Sequence, residues 1–288
     1  MDVRPATPDM FDAIHDVLLE FAGGQLEKND WRRIVDYRFG PERRDRGWVL
    51  VDDNRIVGFL GAIFSVRRGQ RFCNLTSWAV KKSHRTRSLN LLLPMLEMKD
   101  HTLLNLSPNP FTVAVFRRMG FSELEDRAVI IPPIVPQRAP RGYDRVTDPK
   151  AIEGILEGED LAIFRDHRDY ACTHLVFAGP HRYSYVVAAK TRFRRYPTSY
   201  IYYRSDAELF RSLLGPMQRA LWSLHRTPFS IIDARLTAAA PLRGCLTRKL
   251  MQPRLYRPAE RAAPAREQID SLYSEFVLLD PRRWTFNY

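Results

Sequence analysis

The chain has 288 residues, 45% of them hydrophobic and 11% aromatic, which allows two packed domains and argues against wholesale disorder. The formal charge of +12 comes from 45 basic and 33 acidic residues, and lysine supplies only seven of the 45. The basic residues are scattered rather than blocked, which fits either an anionic partner or arginine-rich codon usage. No apolar run approaches the ~20 residues of a membrane span. The start, Met1-Asp2-Val3-Arg4-Pro5, lacks the basic and apolar regions of a secretory leader, so a soluble, cytoplasmic protein is expected. Cys73, Cys172 and Cys245 are far apart and odd in number, which argues against a disulfide framework and against a zinc cluster.

In chain order, Asp2 to Arg4 reads as a first strand. Thr7-Pro8-Asp9 has the hydroxyl, the proline and the acid of a helix start, and Met10, Phe11, Ile14, Val17, Leu18 and Phe21 follow at helical spacing. Gly23-Gly24 closes that helix, and Asp30 caps a second one through Trp31, Ile34, Val35 and Tyr37. Three strands follow as an antiparallel meander, over 47–52, 55–66 and 71–80, with turns at Asp53-Asn54 and over 67–70. A helix is expected over 88–98, with Pro94 predicting a kink or a later start. Then come a strand over 101–106, a helix over 111–119, Gly120 as a left-handed cap, and a strand over 125–131.

Pro132, Pro133, Pro136 and Pro140 mark a linker over 132–142 between domains 1–131 and 143–288. The second half repeats the rhythm. Asp148-Pro149 starts a helix, and strands are expected over 175–177, 183–189 and 200–203. Asp206 caps a long helix to Leu224, then strand 230–233, helix 241–250 and strand 254–256 follow. Ile269 to Leu279 reads as a last strand, and Trp284, Phe286 and Tyr288 suggest a packed end. The order matches the first half although the sequences hardly do, which implies a tandem duplication.

The chemistry points to Thr76–Phe121. A strand ending Trp78-Ala79-Val80 runs into the basic turn His84-Arg85-Thr86-Arg87-Ser88-Leu89, with Lys81 and Lys82 beside it. Backbone N–H groups at a helix start, with cations around them, suit phosphate. Downstream, Ser107-Pro108-Asn109 leads to a helix closed by Met119-Gly120-Phe121.

These residues resemble the GNAT superfamily of acyl-CoA N-acyltransferases over roughly residues 1–131. Val80 matches the valine that ends the family's strand, His84 the aromatic of its turn and Arg85 its arginine. Thr86, Ser88 and Asn90 stand where glycines are usual. The resemblance implies an α/β (α+β) chain of two GNAT-like domains, each a mixed, mostly antiparallel sheet flanked by helices. It implies acetyl-CoA or another acyl-CoA as donor. Its pantetheine arm would pair with the backbone of Trp78, Ala79 and Val80, and its phosphates would lie at His84, Arg85, Thr86, Arg87, Ser88 and Leu89, with Asn109 in the second motif. Phe116 stands where the family often has a tyrosine that protonates the leaving thiolate, and the third meander strand offers Asn74, Thr76 and Ser77 but no glutamate as base.

Candidate catalytic residues are Asn105 and Ser107, at the end of a central strand, and Asp233, at the end of its counterpart in the second half. His84 either binds phosphate or packs in the turn, and Glu20 either faces the acceptor or solvent. Tyr200-Ile201-Tyr202-Tyr203 is a strand covered on both faces or, beside Arg192, Arg194 and Arg195, a surface for stacking on bases. Asp233 followed by Arg235 equally suits an ion pair. His167 and His174 lack a third ligand, so no metal is expected. In the second half the long helix opens with Ser205-Asp206, and an acid is wrong for pyrophosphate, so one acyl-CoA site is expected, in the first half. The leading expectation is transfer of an acetyl or other acyl group from CoA to a small-molecule or peptide amine held between the halves. The alternatives are an aminoacyl-tRNA-dependent transferase of similar tandem fold, with nucleic acid a less favoured partner, and a non-catalytic acyl-CoA sensor or partner-binding module.

Overall fold

The computed structural model describes all residues except 23–25, 41–44, 137–139, 194–195, 238–241, 262, 280–284 and 287–288. Gly23-Gly24, Arg194, Arg195, Pro241, Trp284 and Tyr288, all used above, lie outside the described residues, as do the side chains of Phe21 and Phe286.

Strand β1 (Asp2–Pro5) leads through a 3-10 turn at Pro8–Met10 into helix α1 (Phe11–Ala22). Thr7 has the extended backbone of a cap, but its hydroxyl makes no capping bond. The face formed by Phe11, Ile14, Val17 and Leu18 is buried, as its spacing predicts. Helix α2 (Lys28–Arg32) starts earlier than expected. Glu27 is its cap, and Asp30 serves instead as the third helical residue, accepting from the Glu27 N–H at 3.0 Å. The meander is β2 (Gly47–Asp52), β3 (Arg55–Arg67) and β4 (Gln70–Val80).

The helix expected over 88–98 is instead a 3-10 helix over Lys82–Leu92 followed by one α-helical turn, α3 (Leu93–Leu96). Pro94 accounts for the late start: without an N–H it fits only the first turn of an α-helix. Strand β5 (His101–Asn105) and helix α4 (Pro110–Arg118) follow. Gly120, at φ 84°, ends α4 in the left-handed region that glycine tolerates, and the Phe121 N–H donates back to Phe116 O at 3.1 Å.

The rest of the chain contributes β6 (Ser122–Ile131), β7 (Asp144–Val146), α5 (Pro149–Ile155), α6 (Gly158–His167), β8 (Thr173–Ala178), β9 (Tyr183–Phe193) and β10 (Tyr196–Arg204). Then come α7 (Ala207–Ser212), α8 (Leu214–His225), β11 (Ser230–Asp233), β12 (Leu246–Arg257), α9 (Glu275–Leu278) and β13 (Thr285–Phe286). Asp148 and Asp206 cap α5 and α7 as expected, each accepting from an N–H three residues on at 2.9 Å, but the long helix expected to run to Leu224 is broken at Leu213 into α7 and α8. Two expectations are corrected. Leu246–Leu250, expected to be helix, open the long strand β12, where sheet pairing overrides local pattern. Ile269 to Leu279, expected to be strand, contain one helical turn, α9, capped by Ser274. Residues 269–279 are buried throughout, so the segment carries no periodicity that would tell strand from helix.

The chain forms two compact units, the first being 1–123 with 254–264 and 273–279, the second being 124–253 with 265–272 and 280–288. This differs from a division at 131 and 143, because each unit takes a strand from the other half of the sequence. In the first unit the sheet order is β1–β2–β3–β4–β5, followed by Leu255–Arg257 of β12. In the second it is β6–β11–β10–β9–β8–β7, with β13 beside β9. Within each main order one pair is parallel, β4 with β5 and β10 with β11, and the other registers are antiparallel. The repeat is therefore legible in topology where it is not in sequence. Trp48, Leu50, Phe64, Leu103, Phe116 and Leu255 centre one core, and Phe177, Ile201, Phe210, Leu221 and Ile232 the other.

Candidate functional site

The site of the first unit begins where two parallel strands part. Pairing of β4 with β5 runs from Arg71–His101 to Asn74–Leu104 and ends there, while β4 continues to Val80 and β5 turns its other edge to β12. The continuing part of β4 is bulged: Thr76 faces Gly61 and Ala79 faces Phe59, so Ser77 and Trp78 both lie opposite Leu60. Ser77 takes the extra residue's strain at φ 51°, a left-handed value that is uncommon for serine. Gly61 makes room for it, since a Cβ there would lie 2.9 Å from Thr76 Cγ2. The outcome is a strand, Trp78–Val80, whose edge on the β5 side is not used by β5. Trp78 packs edge-on against Phe116, centroids 6.0 Å apart, and its buried Nε1 has no hydrogen-bond partner among the described residues.

Where the strands part, a buried acid is held by both. Asn74, the last β4 residue in the pairing, donates from Nδ2 to Glu275 Oε2 at 2.6 Å. Ser107, just past the end of β5, donates from Oγ to Glu275 Oε1. Glu275 is the first residue of α9 and is 1% exposed, whereas Ser107 is exposed. Arg254 of β12 is buried nearby, donating from Nη1 to Leu106 O at 2.9 Å with its guanidinium over the Phe276 ring. Burial raises the pKa of Glu275 above the ordinary glutamate value. The bonds from Ser107 and Asn74 and the charge of Arg254 pull the other way. The segment is fixed by Tyr273, which meets the Phe39 ring edge-on at 4.9 Å and lies under the Arg67 guanidinium.

No family model matches the sequence, and no curated protein matches it. Solved structures do match by shape. A GCN5-related N-acetyltransferase from Anabaena variabilis aligns over 89% of this chain and 72% of its own, at TM-score 0.58 and 13% identity. One from Kribbella flavida aligns over 91% and 73%, at TM-score 0.57 and 16% identity. A tandem GNAT protein from the clavulanic acid biosynthesis pathway aligns over 91% of this chain and 99% of its own, at TM-score 0.56 and 14% identity. The fold is that of a tandem GCN5-related N-acetyltransferase.

Within the GNAT fold, the expected cofactor residues divide into two groups. Trp78, Ala79 and Val80 form the bulged, parted strand just described. Arg85, Thr86, Arg87 and Leu89 are exposed, and Ser88 is half-buried, all on the 3-10 helix. A 3-10 pattern commits N–H groups to carbonyls three residues back, as with His84 N–H to Lys81 O at 2.9 Å. The N–H row expected to cradle phosphate is thus largely spent within the helix, and Lys81, Lys82, Arg85 and Arg87 bring positive side-chain charge to the same turn. The His84 ring is engaged on both sides, by Asp52 at 3.1 Å and Ser83 at 2.8 Å, and so ties the turn to β2. Asn109 caps α4, accepting from the Thr112 N–H at 2.9 Å. Phe116 is 1% exposed in the core.

Of the expected catalytic residues, Ser107 meets Glu275, and Asn105 is buried beside it on β5 and pairs with Leu255. Asp233 lies in the second unit, fully buried. It accepts from the Tyr200 hydroxyl and from Arg235 Nη1, and Arg235 Nε donates to Ile269 O at 2.9 Å. Glu20 is exposed on α1. Tyr200, Ile201, Tyr202 and Tyr203 are all buried, which fits a strand covered on both faces. The second unit repeats the parted geometry. Pairing of β10 with β11 stops at Ile201–Ile232, and β10 is irregular between Ile201 and Tyr203. There, however, the strand leads to Asp206, whose carboxylate caps α7. A cavity of ≈ 450 Å³ in that unit is lined by Glu157, Asp160, His181, Arg182, Tyr183 and Asp206 among others. Among the described residues no group of three His, Cys, Asp or Glu is arranged to hold a metal, and no helix is long and apolar enough to cross a membrane.

Sequence reasoning missed Glu275. The signal available was an acid inside an apolar run, Leu272 to Leu279, since acids are rarely buried unless they are held by specific partners.

Proposed function

We propose that this chain is an acyl-CoA-dependent N-acyltransferase, which moves an acetyl or other acyl group to the amine of a small molecule or peptide. One observation carries the reading: β4 outruns its pairing with β5 by the bulged segment that ends at Trp78–Val80. A free strand edge offers the amide hydrogen bonds that a pantetheine arm, itself a chain of amides, would take up. The fit is best at that edge. At the turn it rests on the cations of Lys81, Lys82, Arg85 and Arg87, which suit the phosphates of a CoA but bring less geometric definition than a row of N–H groups. The similarity to solved N-acetyltransferases supports the same reading.

A second reading, acyl-CoA binding without turnover, is favoured by one observation: the position where the family often carries a tyrosine is a core phenylalanine, Phe116. Calorimetry with acetyl-CoA and a colorimetric assay of CoA release over a panel of amines separate the readings. Binding with CoA release supports the transferase. Binding without release supports the sensor, and an absence of binding removes both.

A further inference from the structure

We propose that Ser107 and Glu275 form a proton relay for the acceptor amine, in which Ser107 meets the amine and Glu275 receives the proton. The inference rests on the acyltransferase reading. The geometry has three parts. Ser107 is exposed at the end of β5, beside the point where β4 and β5 part. Its Oγ is hydrogen-bonded to Glu275 Oε1. The second carboxylate oxygen is fixed by Asn74, whose other amide atom, Oδ1, is buried with no partner among the described residues. The buried carboxylate lies one hydrogen bond from the exposed residue Ser107, which gives a proton a short path to the surface, and its charge is held by Ser107, Asn74, a backbone hydrogen bond and the nearby Arg254.

In the step, the neutral amine nitrogen attacks the thioester carbonyl carbon and the C–N bond forms. The nitrogen gives a proton to Ser107 Oγ as Ser107 passes its own to Glu275. The C–S bond breaks, its electron pair leaves with the CoA thiolate, and water protonates that sulfur. Glu275 returns its proton through Ser107 to solvent. Ser107 is the catalytic residue here. Glu275 acts through it, and Asn74 positions Glu275. The groups facing Glu275 are Asn74 from β4, Ser107 from the end of β5 and Arg254 from β12, and of these only Arg254 is charged. A carboxyl kept above its ordinary pKa by burial is better matched to accept a proton near neutral pH.

The test uses the full chain with acetyl-CoA and the amine panel. Ser107→Ala and Glu275→Gln are expected to keep acetyl-CoA affinity within about twofold, to lower kcat by roughly 10²-fold or more, and to be no worse combined than apart. Ser107→Thr, which keeps the hydroxyl, is expected to keep most of the rate. The acidic limb of the pH–kcat/KM profile should vanish in Glu275→Gln. A readout independent of turnover is carbon-13 detection of glutamate carboxyls. One resonance, absent in Glu275→Gln, should titrate above the ordinary glutamate range, and it should move higher still in Ser107→Ala, which removes a donor to the ionised form. Rates within threefold of wild type in either single variant overturn the relay. Should Glu275→Gln not fold, Ser107→Ala decides alone, since its side chain is exposed. Wild-type binding of acetyl-CoA without CoA release from any amine overturns the relay and leaves the cofactor reading intact. An absence of binding overturns the functional reading itself.

Discussion

Replacing Asp233 by asparagine tests whether that acid, a candidate base by sequence, acts in chemistry or in stability. Its carboxylate is fully buried and holds Arg235, whose side chain is 5% exposed, together with the Tyr200 hydroxyl. The network extends further: Arg235 Nε donates to Ile269 O, and the Arg235 N–H donates to Glu125 Oε2, whose Oε1 accepts from the N–H groups of Asp126 and Arg127. Removing one partner of a buried ion pair typically costs 3–5 kcal/mol, because the other charge stays buried and uncompensated. Asparagine keeps one acceptor for Tyr200, which places the cost near the lower end, about 3 kcal/mol. At ~2–4 °C per kcal/mol for a unit of this size, Tm should fall by roughly 6–12 °C. Circular-dichroism melts measure that fall, and CoA release per folded molecule, assayed well below the melt, should match wild type. A Tm within ~2 °C of wild type would refute the assignment of the pair to stability. A tenfold loss of kcat in folded protein would return Asp233 to the list of catalytic groups.

Three further outcomes follow from burial and packing. Burial pushes His174 and His225 of the second unit down to about 4, despite a backbone hydrogen bond that raises the first and with Lys190 adding to the depression of the second. The unfolded chain therefore takes up protons first, so stability is complete above about 6.5 and is lost as pH falls towards 4. The loss is on the order of 3 kcal/mol per histidine. Melts of wild type and His225→Asn across pH 4.5 to 7.5 should show a shallower acid slope in the variant, and equal slopes would contradict the shift. Gly61→Val, placed against Thr76 and Phe59, should cost about 1–3 kcal/mol by overpacking and weaken acetyl-CoA binding by disturbing the bulge; unchanged stability and affinity would count against the bulge as the site's support. Burial raises the Cys172 thiol to about 12 and Cys245 to about 11, and Cys73 is fully buried, so thiol-specific dyes at pH 8 should label native protein far more slowly than unfolded chain. Rapid labelling of the native form would contradict this.

The parts of the fold legible in the sequence are those where local chemistry and tertiary pairing agree. Gly47–Asp52 and Ser230–Asp233 are short apolar runs bounded by turn residues, and both are strands over the expected residues. Gly120, Asp148 and Asp206 read correctly as caps because capping is local. The crosswise placement of β6 and β12 was not legible, since strand pairing depends on partners distant in sequence. Leu246 to Leu250 carry no run of β-branched residues, and they become strand only by pairing. Glu275 was hidden twice. Its segment is buried on all sides and so lacks a period, and its partner Ser107 lies 168 residues earlier. The turn from His84 to Leu89 was legible as basic and as helical, but the 3-10 geometry that consumes its N–H groups was not. The parting of β4 from β5 thus falls beside the residues the sequence singled out, Trp78 to Val80, while the buried acid Glu275 carried no such signal.

A crystal structure with acetyl-CoA tests the central claim most directly. The pantetheine amides are expected to pair with the backbone of Trp78–Val80 along the edge of β4 that β5 leaves unused, with the thioester beside Ser107. A cofactor seated elsewhere, for example in the cavity lined by Asp160 and Arg182 in the second unit, would contradict it, as would an edge of β4 left empty at saturating ligand.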